Sequence, residues 1–242
     1  MSSPILILTA TAFEQAELRN SLQNAASQVL SHRVWTRGHL NGRPVVLLEG
    51  GIGQVNTAQA LTTALDRIHP SLVLQVGIGG AYLNSDLKIG DLALATEENY
   101  GDMGVITPKG WQPADVIGIP VLQKESDYYN TFPLNTEHVT VADTLLRQRD
   151  ETPSLQSGPF VTVQQCSNRT IGDELATRFS AICENMEGVA AAHLCTLYEI
   201  PFLELRAISN CVEDYNKEAW DIPLALARSQ NAARHLIQHL SI

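Results

Sequence analysis

With 242 residues, 44% of them hydrophobic and 17% charged, the chain has the composition of one globular α/β domain spanning residues 1–242. A net charge of −10 argues against a nucleic-acid polymer as partner, because such binding needs clustered Lys and Arg. The sequence has no apolar run close to the length of a membrane span, and Met1 to Pro4 lead into a strand without an export signal. We therefore expect a cytoplasmic protein with no membrane partner.

Four cysteines, at positions 166, 183, 195 and 211, lack the C-x-x-C spacing of zinc sites and redox motifs. Neither a bound metal nor a disulfide framework is predicted. The thiols are expected to be reduced and largely buried.

Short apolar runs alternate with amphipathic segments, which is typical of an α/β fold. In chain order the pattern predicts a strand at 5–8, a helix at 13–30, a hairpin that turns at 41–42, a helix at 57–68, strands at 72–76, 91–95 and 160–163, a helix at 186–198, a strand at 202–208 and a helix at 223–240.

Residues 103–137 hold four prolines and three glycines among polar and aromatic residues, which predicts a long irregular excursion. Such a segment can be a lid over a site. Disorder and plain surface decoration are the alternatives.

Two glycine-rich stretches follow predicted strands. The stretch 51–53 resembles a dinucleotide loop, but Asn56 stands where the third glycine is required, so NAD is not expected and no cofactor is predicted. Gly77, Gly79 and Gly80 predict a turn after a strand, where backbone amides could approach a ligand. A tight turn without any ligand is the alternative.

Arg206 lies in the apolar strand 202–208, where an unpaired charge would be expensive. Ligands of open α/β sheets gather beyond the carboxyl ends of strands, which makes Ser209 and Asn210 candidates for ligand contact. Arg206 would then order a site. The alternative is that it only anchors the sheet to a neighbouring acid.

Acidic residues mark two further positions. Glu184 and Glu187 flank Met186 at the start of an alanine-rich helix, where interaction with the helix dipole is one explanation. Because that helix is too apolar to be exposed, Glu187 needs a hydrogen-bonding partner, and a diol would serve. Glu14 and Glu17 follow the first strand, where a lone glutamate is usually a capping or solvated residue.

Six motifs occur in the order seen in the nucleoside phosphorylase and nucleosidase superfamily, which the chain resembles over nearly its whole length: Glu14, Gly51-Ile-Gly53, Val76-Gly-Ile-Gly-Gly80, Ile89-Gly-Asp91, Asn185-Met-Glu187 and Arg206-Ala-Ile-Ser-Asn210. The resemblance implies a three-layer α/β fold, a twisted mixed central sheet flanked by helices. It also implies a small nucleoside substrate and a homodimer or larger assembly, with a neighbouring loop over the site. Our hypothesis is that residues 103–137 form this loop and fold over the 5′ substituent.

The same resemblance implies roles for individual residues. The carboxylate of Glu14 activates water, Met186 and Glu187 hold the ribose hydroxyls, and Asn210 contacts the purine. Within the superfamily the chain looks most like the futalosine hydrolases of menaquinone biosynthesis, which release hypoxanthine.

The expectation of a futalosine hydrolase rests on Asn210, since methylthioadenosine nucleosidases have an aspartic acid at the matching position. An amide can donate to N7 and satisfy a 6-oxo group, whereas a 6-amino group offers it the wrong partner. If Asn210 is only structural, backbone groups near Cys166 and Ser167 are the expected source of base choice.

Hydrolysis is favoured over phosphorolysis because the glycine stretches contain no arginine and Glu14 would repel phosphate. Three alternatives stay open: a methylthioadenosine or aminofutalosine nucleosidase, a purine nucleoside phosphorylase that uses Arg33, Arg37 or Arg43, and a noncatalytic nucleoside-binding protein.

Overall fold

The computed structural model describes residues 3–149 and 153–240. Met1 and Ser2, which belong to the stretch expected to carry no export signal, lie outside the described residues. The first part of the chain contains β1 (Ile5–Thr9), α1 (Ala16–Ser21), β2 (Gln23–Leu30), β3 (Arg33–Leu40), β4 (Arg43–Glu49), α2 (Gln54–Leu65), β5 (Leu72–Ala81) and β6 (Leu92–Tyr100). The middle contains β7 (Val105–Thr107), β8 (Gly110–Gln112), β9 (Leu122–Gln123), β10 (Asp127–Tyr128), β11 (Thr131–Pro133) and α3 (Thr136–Arg147). The last part contains β12 (Leu155–Thr162), α4 (Arg169–Phe179), β13 (Cys183–Asn185), α5 (Gly188–Tyr198), β14 (Phe202–Cys211) and α6 (Ile222–His239).

Within the described residues, ten strands form one mixed sheet in the order β11-β6-β12-β13-β5-β1-β4-β3-β2, with β14 added between β5 and β6. Strand β14 pairs with β5 in parallel and with β6 in antiparallel orientation. Because β6 also pairs with β12, β12 with β13 and β13 with β5, these five strands close into a ring. Helix α2 packs on α5, and α6 packs on β5 and β14. The predicted fold class, a mixed sheet flanked by helices, is confirmed. Across the described residues, no helix has both the length and the apolar character that a membrane crossing requires.

The predicted helix at 13–30 is wrong. A 3₁₀ turn (Phe13–Gln15) and the short α1 are followed by Leu22 in an extended conformation, and β2 then pairs with β3 as an exposed strand. The turn between them is made by Ser31 and His32, which both have positive φ without being glycine. An exposed edge strand needs no apolar alternation, so its sequence carries little β signal.

The hairpin at 41–42 is confirmed, with Asn41 at φ 51° and Gly42 at φ 78° between β3 and β4. Positive φ at both central residues is the requirement of a type I′ turn, which suits the twist of the two strands.

The turn predicted at Gly77, Gly79 and Gly80 is also wrong, because these glycines lie inside β5 and pair with β14. A Cβ at Gly77 would lie 2.6 Å from Glu14 Oε1, and one at Gly79 would lie 2.6 Å from Cys183 Sγ. The glycines therefore make room for side chains of neighbouring elements rather than for a change of chain direction.

Residues 103–137 are more regular than predicted. Strands β7 and β8 form one hairpin, β9 and β10 form a second, and β11 joins the edge of the main sheet beside β6. These strands are two or three residues long, too short to show a period in the sequence.

Candidate active site

A cavity of about 540 Å³ opens at the carboxyl ends of β1, β5, β13 and β14. Its volume suits a small molecule of nucleoside size. Nine of the predicted site residues line it: Glu14, Gly79, Gly80, Cys166, Met186, Glu187, Arg206, Ser209 and Asn210. The tenth, Ser167, lines an adjoining recess of about 180 Å³, whose walls share Cys166, Glu184, Asn210 and Trp220 with the cavity.

Glu14 is buried in the 3₁₀ turn after β1, whereas Glu17 is exposed. Glu14 Oε2 accepts hydrogen bonds from the backbone N–H (2.8 Å) and the hydroxyl (3.1 Å) of Thr11, and Glu14 Oε1 accepts one from the Ile78 N–H (3.2 Å). Burial raises the pKa of Glu14 above its ordinary value, although Arg206 acts in the opposite direction. A fixed carboxylate with a raised pKa has the properties of a general base.

Arg206 is buried between two sets of carboxylates. Its Nε donates to Glu204 Oε1 (2.8 Å), and its Nη1 donates to Glu187 Oε2 (3.2 Å) and to the Ile78 carbonyl (3.2 Å). Burial disfavours the charged guanidinium, but Glu204, Glu187 and Glu14 together raise the Arg206 pKa. Arg206 therefore contacts one acid inside the fold, Glu204, and one acid at the cavity, Glu187.

Glu187 stands at the N-cap of α5 and its carboxylate has two partners. Oε1 accepts from the Gly53 N–H (2.9 Å) and Oε2 accepts from Arg206 (3.2 Å). Gly53 has φ 89°, a conformation that favours glycine. The glycine stretch 51–53 thus delivers a backbone N–H to a carboxylate of the cavity wall.

A cluster of buried polar groups behind Arg206 was missed by the sequence analysis. Glu98 accepts hydrogen bonds from Asn185 Nδ2 (2.5 Å) and Thr162 Oγ1 (2.8 Å). A Cβ on Gly188 would overlap carboxyl oxygens of both Glu98 and Glu204, which therefore face each other beside this glycine. Burial raises the pKa of Glu98, and the neighbouring Glu204 raises it further. One feature of the sequence could have indicated this cluster: Glu204 and Arg206 are two residues apart in an apolar strand and so lie on the same face of it.

Asn210 is held by its neighbour Ser209, whose hydroxyl donates to Asn210 Oδ1 (2.8 Å). The amide Nδ2 donates to the Cys211 carbonyl at 3.2 Å. With its oxygen accepting from Ser209 and one N–H donating to Cys211, the amide has its second N–H left for a ligand.

Several residues named from the sequence lie away from the cavity. Within the described chain, no residue of 103–137 lines it. Arg33 donates to Gln59 and Asn56 outside the cavity, and the cavity wall contains neither Arg37 nor Arg43 among its described residues. All four cysteines are free, and Cys166 is exposed, contrary to the expectation of burial. In the described ranges, no group of three or more His, Cys, Asp or Glu side chains is placed to hold a metal ion.

The fold agrees with that of known proteins. Residues 4–241 match the Phosphorylase superfamily, and the chain belongs to that family. Its relatives include the 5′-methylthioadenosine/S-adenosylhomocysteine nucleosidases of Bacillus subtilis (27% identical over 85% of both chains) and of a Geobacillus species (29% identical over 85% of this chain and 84% of the relative). The names of these relatives agree with the enzyme class expected from the sequence, an N-glycosidase.

Solved structures show the same fold. The nucleosidase of that name from Neisseria meningitidis, in complex with methylthio-immucillin-A, superposes with a TM-score of 0.86 at 23% identity, covering 99% of this chain and 100% of that one. The Colwellia psychrerythraea nucleosidase in complex with adenine gives 0.84 at 22% identity, over 98% and 95% of the two chains.

Proposed function

We propose that this protein hydrolyses the N-glycosidic bond of a purine ribonucleoside that carries a 5′ substituent. The observation that carries the proposal is the placement of Glu14 and Glu187 on one cavity wall, with Arg206 close to both. Breaking this bond develops positive charge on the ribose, and fixed carboxylates stabilise such charge.

Each carboxylate has a distinct task in this mechanism. Glu187, whose oxygens are fixed by Gly53 and Arg206, holds the 2′-hydroxyl and strengthens that hydrogen bond as the ribose becomes cationic. Glu14, buried and with a raised pKa, takes the proton of the attacking water. Asn210 Nδ2 donates to N7 of the leaving base.

Water is favoured over phosphate as the nucleophile because of the charges around the cavity. Among the described residues of its wall, Arg206 is the one arginine, and Glu204 and Glu187 already engage its guanidinium. The buried carboxylate of Glu14 disfavours a second anion at the same place.

Two substrate classes fit the site. The relatives' names favour 5′-methylthioadenosine and S-adenosylhomocysteine, and the apolar Phe13, Ile52 and Leu226 in the cavity wall suit a thioether substituent. Futalosine, the substrate expected first from the sequence, is the second candidate. Asn210 favours it, because an amide matches a 6-oxopurine.

The proposal includes an assembly. We expect a homodimer or larger oligomer in which residues 103–137 of a neighbouring copy cover the 5′ substituent, since these residues leave their own cavity uncovered in the described chain. Shortening this segment should reduce turnover.

The test is purine release from methylthioadenosine, S-adenosylhomocysteine, futalosine, aminofutalosine and inosine, each with and without phosphate. Release that does not depend on phosphate supports a hydrolase. A rate that requires phosphate would identify a phosphorylase. Binding without any release would identify a noncatalytic nucleoside-binding protein.

A further inference from the structure

Asn185 is a buried polar residue of the cavity wall that the proposed mechanism does not use. It is the last residue of β13, is 5% exposed, and lies two residues before Glu187. Asn185 Oδ1 accepts from the backbone N–H groups of Glu187 (2.9 Å) and Gly188 (2.6 Å). These donors lie at the start of α5, where a helix offers no carbonyl partner of its own. The Asn185 side chain therefore fixes the backbone from which the Glu187 carboxylate projects.

The same oxygen also accepts from Arg206. Arg206 Nη2 donates to Asn185 Oδ1 at 3.3 Å, while Arg206 Nη1 donates to Glu187 Oε2 at 3.2 Å. One carbonyl oxygen thus holds the main chain of Glu187 and also the guanidinium that holds its carboxylate. A displacement of Asn185 would release both ends of the Glu187 side chain.

The surroundings of the carboxamide admit one orientation. Asn185 Nδ2 donates to Glu98 Oε1 (2.5 Å), and a carboxylate oxygen is an acceptor. An inverted carboxamide would place its NH₂ group against two backbone N–H groups and a guanidinium, all of which are donors. The interior acid Glu98 therefore keeps the Asn185 oxygen directed at Glu187 and Arg206.

Position matters at Glu187 because its hydrogen bond to the 2′-hydroxyl has to strengthen as the ribose becomes cationic. A misplacement of about 1 Å can lower a rate by about 100-fold. We propose that Asn185 is a positioning residue that sets the Glu187 carboxylate for the 2′-hydroxyl, through the Glu187 N–H and the Arg206 guanidinium, an inference that rests on the proposed nucleosidase function.

The experiment is Asn185→Ala, assayed on a purine riboside and on the matching 2′-deoxyriboside. For the riboside, kcat should fall roughly tenfold, with a smaller change in KM. The 2′-deoxyriboside has no hydroxyl for Glu187 to hold, so the ratio of the two kcat values should also fall roughly tenfold. In a Glu187→Gln background, Asn185→Ala should change that ratio by less than about twofold, since it acts through Glu187.

Asn185→Asp is the conservative variant. It keeps an acceptor oxygen for the backbone N–H groups and the guanidinium, and its second oxygen meets Glu98, whose raised pKa supplies a proton to share. Asn185→Asp should therefore retain more of the riboside preference than Asn185→Ala.

Asn99→Ala is the matched control for a loss of stability. Asn99 is also buried, donates to the Phe160 carbonyl (3.0 Å) and accepts from Thr131 Oγ1 (2.6 Å), and it is not among the described residues of the cavity wall. This variant should lower Tm and leave the riboside preference unchanged.

Three results would each overturn the positioning role of Asn185: an unchanged riboside preference in Asn185→Ala, an equal loss of preference in the wild-type and Glu187→Gln backgrounds, or a preference in Asn185→Asp no greater than in Asn185→Ala. Failure of the proposed function looks different, because the wild-type protein would then release no base from the riboside.

Discussion

Two pairs of glutamates lie on either side of Arg206, and their surroundings differ. Glu14 and Glu187 face the cavity, where backbone N–H groups donate to both and Arg206 donates to Glu187. Glu98 and Glu204 are enclosed in the fold and face each other beside Gly188. Glutamates therefore both line the cavity and pack in the interior of the fold around Arg206.

The difference shows how the charges are stabilised. Two adjacent buried carboxylates cannot both be ionised cheaply, so the interior pair holds a proton, in agreement with the raised pKa of Glu98 and of Glu204. Glu204 also accepts from Arg206 and fixes it for Glu187. Changes at the cavity pair should alter catalysis, while changes at the interior pair should alter stability.

The largest effect is expected from Glu14→Gln, which keeps the shape of the side chain but removes the base. Turnover should fall by roughly 10² to 10⁴, with little change in substrate affinity. Steady-state kinetics on the substrate that releases its base fastest measure this. Glu17→Gln is the matched control, because Glu17 is exposed three residues away. Near-normal turnover in Glu14→Gln would remove Glu14 from the mechanism.

The pH dependence of the wild-type protein checks the same assignment. Because Glu14 must be ionised to act and its pKa is raised, kcat should decline with falling pH from above the usual range of a glutamate. A flat profile down to the ordinary glutamate pKa would contradict this assignment.

Glu187→Gln should reduce turnover by about 10², because it weakens the stabilisation of the cationic ribose. The loss should appear in kcat more than in KM. A 2′-deoxy substrate gives the complementary measurement: the wild-type protein should cleave it poorly, and the variant should discriminate less against it. Equal cleavage of riboside and deoxyriboside by the wild-type protein would contradict a contact with the 2′-hydroxyl.

Asn210→Asp adds a fourth carboxylate to the cavity, beside Glu14, Glu184 and Glu187, and should shift base choice by about tenfold toward the 6-amino purine. An ionised carboxylate repels O6, and a protonated one assists an adenine leaving group. The ratio of kcat/KM for futalosine and aminofutalosine measures the shift. A constant ratio would make Asn210 structural and leave base choice to the backbone at Cys166 and Ser167.

Glu98→Gln should have the smallest effect on activity, since the amide still fills the interior and can donate to Glu204. Its effect should be on the pH dependence of stability. Glu98 has a raised pKa when folded, so its contribution is present below the unfolded pKa and is lost as the pH rises toward the folded pKa. The wild-type free energy of unfolding should therefore fall relative to the variant by about 1.4 kcal/mol for each pH unit in this window.

Denaturant unfolding of the two proteins at pH 5 and pH 7 tests this difference. A constant gap between them would show that Glu98 is ionised in the folded protein. Glu98→Ala is a useful contrast, because it leaves Asn185 and Thr162 without their shared acceptor and should destabilise at both pH values.

The sequence by itself determined the α/β class, the hairpin at Asn41-Gly42 and the residue types of the site, because local turn chemistry and apolar periodicity act over a few neighbouring residues. It placed Glu14 just beyond the first strand and Asn210 at the carboxyl end of another, and such strand ends of one sheet meet at one edge. It did not determine β2, the strand position of Gly77, or the pairing of Glu98 with Glu204. Only the tertiary structure decided these, since edge pairing, close approach of side chains and shared protons depend on contacts between segments far apart in the chain.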